Sequence, residues 1–169
     1  LAELTRHALL VPARSWQHED WFGLLKTGLP PVAEDYVDLM ENEALQYGWA
    51  GDFWRAETCA TAGAETANNW ARIQSDLVQP MLRFAAVLED AKGPDGAELA
   101  GALRSLWREW KIEERLREWS EAEPGELGPA AVHLTVWEQM LAWLDNVELA
   151  FRGERMPLKE WIPIVEAGL

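Results

Sequence analysis

Apolar positions recur along this chain at steps of three and four, which is the period of an α-helix with one face turned inward. From Trp70 the series Ile73, Leu77, Met81, Phe84 and Leu88 traces one stripe. Pro80 interrupts it. Having no backbone N–H, Pro80 leaves the Asp76 carbonyl without its helical donor and clashes with the preceding turn, so the pattern predicts one kinked helix or two. Near the C-terminus Val136, Met140, Trp143, Val147 and Phe151 form a stripe beside a second one of Trp137, Leu141 and Leu144. An apolar arc that wide predicts a helix at the centre of the core.

Punctuation places the other elements. Ser15 is positioned to cap a helix running through Trp21 and Leu25 to Gly28, after which Pro30 and Pro31 block continuation. A second helix over 33–47 stops at Gly48. Asp95 and Glu98 stand at capping-box spacing after the Gly93-Pro94 turn and before Leu99, Leu103, Leu106 and Trp110. A short helix over 112–121 precedes a loop at 123–129, and Pro157 reads as the first residue of a last helix through Trp161. Strand alternation and internal repeats are lacking. The expectation is an all-α, bundle-like single domain over 1–169, built from about seven helices.

Composition narrows the function. The 169 residues carry a net charge of −14, from 15 Lys and Arg against 29 Asp and Glu. A free polyanion should repel such a chain, because duplex binding depends on cations that displace phosphate counterions. Half of the residues are hydrophobic, at 49%, and mean hydropathy is −0.23. That balance excludes disorder, no apolar run is long enough to span a bilayer, and a cytoplasmic setting is expected. The single cysteine, Cys59, permits neither a disulfide framework nor a cysteine-only metal site. Eleven tryptophans point to a large indole-rich core more than to an aromatic ligand platform. The start at Leu1, without Met or leader, reads as a piece of a longer chain.

Candidate chemistry is sparse. Neither Gly23–Gly28 nor Gly93–Gly96 has the spacing of a phosphate-binding loop followed by Lys and Ser or Thr. His7, His18 and His133 stand apart, with no metal-binding spacing, and Cys59 has no neighbouring histidine to activate it. Glu34, Asp38 and Glu41 share a helix face, a spacing equally that of a solvated surface. No metal site and no catalytic residue is therefore expected. Arg104, Arg108, Lys111 and Arg115 are the candidate DNA or partner contacts, because steps of four, three and four align them if one helix continues through Lys111. Interleaved with them are Glu109, Glu113, Glu114 and Glu118, which equally suit an ion-paired surface.

The segment LLKTGL at 24–29 and VDLMENEALQYGWAGDFW at 37–54 resemble AddB, the B subunit of the bacterial ATP-dependent helicase/deoxyribonuclease. The resemblance continues through Arg72, Pro80-Met81-Leu82 and the whole of 136–169. It departs at Glu43 and Ala44, where an aromatic and a branched apolar residue are expected, and at Trp49, which replaces a smaller one. Shared positions carry packing roles: Gly28, Gly48 and Gly51 as left-handed turns, Trp54 as an anchor over the first helices, Pro80 as a bend, and Trp137 as a core ring.

The resemblance implies a noncatalytic helical accessory domain, inserted in a helicase-like region of a subunit that acts in double-strand break resection and recombinational DNA repair. ATP, Mg2+ and an iron–sulfur cluster would belong to the parent exonuclease and helicase. An AddA-type subunit and DNA would be the partners of the intact complex, with no membrane, and the fragment alone would be monomeric. The alternative is a self-contained acidic helical protein-interaction module, which flanking sequence would distinguish.

Overall fold

The computed structural model describes residues 1–56, 63–89, 92–122 and 129–169. Among these, every regular element is helical: α1 (Ala2–Ala13), α2 (His18–Leu25), α3 (Glu34–Tyr47), α4 (Ala64–Ile73), α5 (Gln79–Leu88), α6 (Gly96–Glu109), α7 (Ile112–Ala122), α8 (Pro129–Ala150) and α9 (Leu158–Gly168). The all-α class expected from the periodicity is what folds. Cys59 and residues 123–128 of the loop expected at 123–129 lie outside the described residues, and Pro129, expected to end that loop, is the first residue of α8.

Helix α1 was not legible in the pattern, yet it is central. Leu4, Ala8, Leu9 and Val11 are at most 1% exposed, and α1 packs against α2, α5 and α9. Its end explains why it escapes notice. The Trp16 N–H reaches the Val11 carbonyl at 2.7 Å and the Ser15 N–H reaches that of Pro12 at 3.1 Å. This is the paired closure that normally places glycine in the left-handed position; here Ser15 and Trp16 adopt φ of 54° and 57°. Ser15 therefore ends α1, and does not cap the following helix, whose N-cap is Gln17. The buried Trp16 ring anchors the corner that its backbone makes.

Trp16 opens an aromatic cluster. Its ring lies 5.0 Å from Trp21, and Trp54, carried on a 3-10 turn at Gly51–Arg55, sits 5.6 Å from Trp21 and 5.8 Å from Phe22. Trp49 stacks on Phe53 at 4.5 Å, and Trp70 closes the cluster 6.2 Å from Trp54. Trp54 is thus the anchor that its position suggested. Gly28, Gly48 and Gly51 have φ of 71°, 68° and 59°, the left-handed values expected of them. Of the eleven tryptophans, Trp16, Trp21, Trp49, Trp54, Trp70, Trp107, Trp110 and Trp161 are buried.

Where the altered junction after α3 departs from the expected pattern, the packing accommodates it. Ala44 is buried and Trp49 fills the adjoining space, 2% exposed. The Glu43 carboxylate accepts the Gly63 N–H at 3.1 Å, so it ties α3 to the start of α4.

Pro80 neither breaks the helix nor simply bends it. Residues Gln74–Val78 form a π-helical turn that joins α4 to α5 without interruption, and Pro80 falls in the first turn of α5, where a missing N–H costs least. The Asp76 carbonyl that it leaves without a donor accepts the Trp110 indole N–H at 2.9 Å.

The capping box forms as expected: Glu98 N–H to Asp95 at 2.9 Å, and Asp95 N–H to Glu98 at 3.0 Å. Pro157 is the N-cap of α9, one position before the first helical residue expected for it. The turn at Gly93 is pinned to the link between α8 and α9, where the Met156 N–H reaches the Pro94 carbonyl at 3.3 Å, and to α9 itself, whose Trp161 indole donates to the same carbonyl at 3.0 Å.

Helix α8 is not the central helix that its wide apolar arc predicts. Met140, Leu144 and Val147 face α6 and α7 and are buried. Trp137, Leu141 and Trp143 are only partly so, while Val132 and Leu149 are 56% and 74% exposed. Apolar character all round reports what a helix can bury, and the count of available neighbours decides how much it does. Trp137 reaches the core through Trp107, with ring centroids 5.7 Å apart.

These features lead to three measurable outcomes in chemical denaturation. Leu144→Ala should cost about 3 kcal/mol and Leu141→Ala about 1 kcal/mol, because only the first leaves a closed cavity; equal costs would contradict the placement of α8. Gly93→Ala should cost at least about 2 kcal/mol, since φ is 69° and a Cβ would stand 2.0 Å from the Met156 carbonyl oxygen. Asp95→Ala should cost about 1 kcal/mol at neutral pH. The Glu98 backbone N–H holds the Asp95 carboxyl below its ordinary 3.8, so this contribution is complete above that value and is lost as pH falls through the lower native one. Wild type and variant should converge in acid.

Candidate functional site

The four candidate cations do not form one edge. Helix α6 ends at Glu109 with Trp110 as its C-cap, and Lys111 takes φ of 53° before α7 begins at Ile112. This left-handed residue turns the chain, so the register that would align Lys111 and Arg115 with Arg104 and Arg108 is lost. Trp110, held by its bond to Asp76, fixes the corner from below.

Each cation then meets different surroundings. Arg104 is committed to α8, donating to Asp145 at 2.6 Å and to Glu148 at 3.1 Å. Arg115 donates to the Gly28 carbonyl at 3.4 Å, pairs with Glu118 at 3.5 Å and lies 5.9 Å over the Trp119 ring. Arg108 is exposed and opens onto a cleft of about 220 Å³ with Trp107, Trp137 and Leu141. Lys111 faces a separate groove. Pairing with the interleaved glutamates occurs at Arg115, with Glu118, and at Arg117, which pairs with Glu113 at 2.9 Å, whereas Arg104 pairs across to α8.

The groove at Lys111 is the larger opening, about 440 Å³. Three segments build it: the Leu29–Ala33 link after α2, the Arg72–Asp76 stretch leaving α4, and the α6–α7 corner with Lys111, Glu114, Arg115 and Glu118. It continues past Pro31 and Lys111 into a second depression beside Pro80 and Arg83. Arg72 is the residue that spacing alone did not single out for contact. It lies on a different helix from the other cations, so only the tertiary fold brings it to the same groove.

The acidic trio on α3 does not make an open carboxylate shell. The Lys26 ammonium lies against Glu41, and 3.7 Å from Asp38; its hydrogen bond to Glu41 holds it above the ordinary lysine value. His18 lies 3.6 Å from Glu41 on the other side. Among the described residues, no group of three or more His, Cys, Asp and Glu could hold a metal ion. The remaining histidines are dispersed. His7 packs on Gly23, where a Cβ would meet its ring at 2.5 Å, and burial lowers its pKa; His133 lies edge-on to Trp119 at 5.6 Å. Among the described residues, no helix is long and apolar enough to cross a membrane.

No protein-family model matches the chain. Individual relatives do, along all of it. The chain is 30% identical over 183 residues to the B subunit of the ATP-dependent helicase/deoxyribonuclease of Moorella thermoacetica. It is 31% identical over 186 residues to the protein of the same name from Pelotomaculum thermopropionicum. The corresponding Desulfitobacterium hafniense protein is 29% identical over 181 residues. Each alignment covers 100% of this chain but only 15 to 16% of the relative, so the chain spans about one sixth of the length of these proteins. The chain belongs to the family of ATP-dependent helicase/deoxyribonuclease B subunits.

Proposed function

We propose that these residues act as a noncatalytic helical accessory domain of an AddB-type subunit, one unit over 1–169 that positions DNA or the partner subunit. The parent assembly would be a cytoplasmic helicase–nuclease in double-strand break resection and DNA repair. One observation supports this reading: the chain aligns in full with a sixth of the B subunits, while Asp38 and Glu41 of its acidic trio are held by Lys26. Lys26 lies between Asp38 and Glu41, and Arg104 is clamped by Asp145 and Glu148. A carboxylate already neutralised by lysine is a poor Mg2+ ligand. ATP, Mg2+ and the iron–sulfur cluster are accordingly assigned to the rest of the parent subunit; one cysteine cannot supply a cluster's four thiolates.

In this role the domain contributes shape and rigidity. The internal ion pairs between α6 and α8 keep that face closed, and partner charge in the assembly would supply the counterion release that a chain of −14 cannot.

The purified chain should hydrolyse no ATP and cleave no DNA with Mg2+ present. Cleavage that persists through purification and disappears in Glu34→Gln or Asp38→Asn would overturn the noncatalytic role. A labelled duplex end should bind it weakly or undetectably at physiological salt. Within the intact complex, Arg104→Gln should lower thermal stability by releasing α8 and leave the salt dependence of DNA binding unchanged; a flattened salt slope would make Arg104 a phosphate contact.

A further inference from the structure

We propose that His7 is a proton-sensitive wedge between α1 and α2: neutral, its ring fits the space that Gly23 leaves open, and its protonation loosens the two helices.

Contact with Gly23 sets the geometry. A Cβ at that position would stand 2.5 Å from Cε1, 2.8 Å from Nδ1 and 2.9 Å from Nε2 of His7. The edge of the ring that holds both nitrogens, and that takes the positive charge on protonation, is therefore the edge turned toward the α2 backbone. Nδ1 is buried and has no hydrogen-bond partner among the described residues. Nε2 lies 3.8 Å from the Glu3 carboxylate, beyond hydrogen-bond reach. A neutral ring with its proton on Nε2 leaves one buried acceptor unpaired and adds no charge. Protonation puts an N–H on Nδ1 as well, and a buried charged donor without an acceptor is the costlier state.

The charges around His7 do not relieve that cost. Glu3 and Arg6 on α1, Arg14 at its end and Asp20 on α2 act on the ring. Both carboxylates are already matched by arginine, Glu3 by Arg6 at 3.9 Å and Asp20 by Arg14 at 3.5 Å. Elsewhere on α2, Glu19 is exposed and His18 lies beside Glu41. Of the other helices packed on α1, α5 carries one charged residue, Arg83, which is committed to Glu109. On α9, Glu166 pairs with Arg6 at 3.0 Å, while Lys159 and Glu160 are exposed. Burial is left to decide, and it holds the imidazole below its ordinary 6.5. Above that value the ring is neutral whether the helices are packed or open. Below it the open state takes up the proton first, so packing weakens as pH falls through 6.5 until the packed ring charges too. Trp16 and Trp21 flank the same junction, so the loosening reaches the aromatic cluster.

The test titrates the 169-residue chain from about pH 7.5 to about 5.5, a window above the ordinary carboxylate range. In proton NMR the His7 Cε1–H signal should move with a midpoint below 6.5. Amide protection factors in α1 and α2 should fall at least about three-fold across the window, while those in α7 hold. His7→Gln has no ring to charge, so its protection should stay constant whatever its overall stability. Gly23→Ala displaces the ring toward water and should bring the midpoint up toward 6.5.

A His7 midpoint at or above 6.5, protection in α1 and α2 that is indifferent to pH, or an equal loss of protection in His7→Gln would each overturn the proposal. The wild-type titration decides even where His7→Gln does not fold, because His18→Gln and His133→Gln assign the remaining histidine signals.

Discussion

The bond from the Trp110 indole to the Asp76 carbonyl organises the corner between α6 and α7. A proline at position 80 cannot donate to that carbonyl. The π-helical turn at Gln74–Val78 lets the helical run continue past the proline, and Trp110 supplies the missing donor at 2.9 Å. One interaction therefore satisfies a backbone defect and fixes the end of α6. With α6 ended there, Lys111 turns the chain, α7 starts on a new axis, and the corner faces the Leu29–Ala33 link across a groove.

Around this corner the rest of the molecule is held by large rings more than by polar ties. The cluster of Trp16, Trp21, Trp49, Phe53, Trp54 and Trp70 joins α2, the exit of α3 and α4 through edge-on and stacked contacts. Indoles bury much area with few rotatable bonds, so they rigidify short helices that would not be stable alone. The link between α8 and α9 is held differently, by hydrogen bonds to the backbone: Gly96 N–H to the Phe151 carbonyl at 2.9 Å, the Arg155 guanidinium to the Gly93 carbonyl at 2.8 Å, and the Asp95 carboxylate capping α6 while accepting the Gly153 N–H at 3.2 Å. Aromatic packing at one end and turn chemistry at the other give a scaffold on which surface cations have fixed places.

Family membership and this chemistry point the same way. The segment amounts to a sixth of its relatives, and among its described residues Asp38 and Glu41 are held by Lys26 and Asp145 and Glu148 by Arg104.

What the sequence by itself determined is local. The Asp95–Glu98 box and the left-handed Gly28 are present as read, since each depends on neighbours a few residues away, and the apolar positions from Trp70 to Leu88 are buried as one stripe although a π-helical turn at Gln74–Val78 interrupts the 3.6-residue period. The family likeness was legible for the same reason, as short packing signatures in order. Only the tertiary structure decided which helix is central and which cations meet. Helix α1 closes with Ser15 and Trp16 where glycine is the usual signal, and it is buried because α2, α5 and α9 surround it. Helix α8 is apolar all round but has partners on one side, so Leu149 stays exposed. The four evenly spaced cations were parted by the left-handed Lys111, a non-glycine in a position that propensity disfavours and the Trp110 anchor sustains. Arg72 joins Lys111 across a sequence separation that no periodicity spans, for burial and non-local contact select among faces that sequence spacing leaves equivalent.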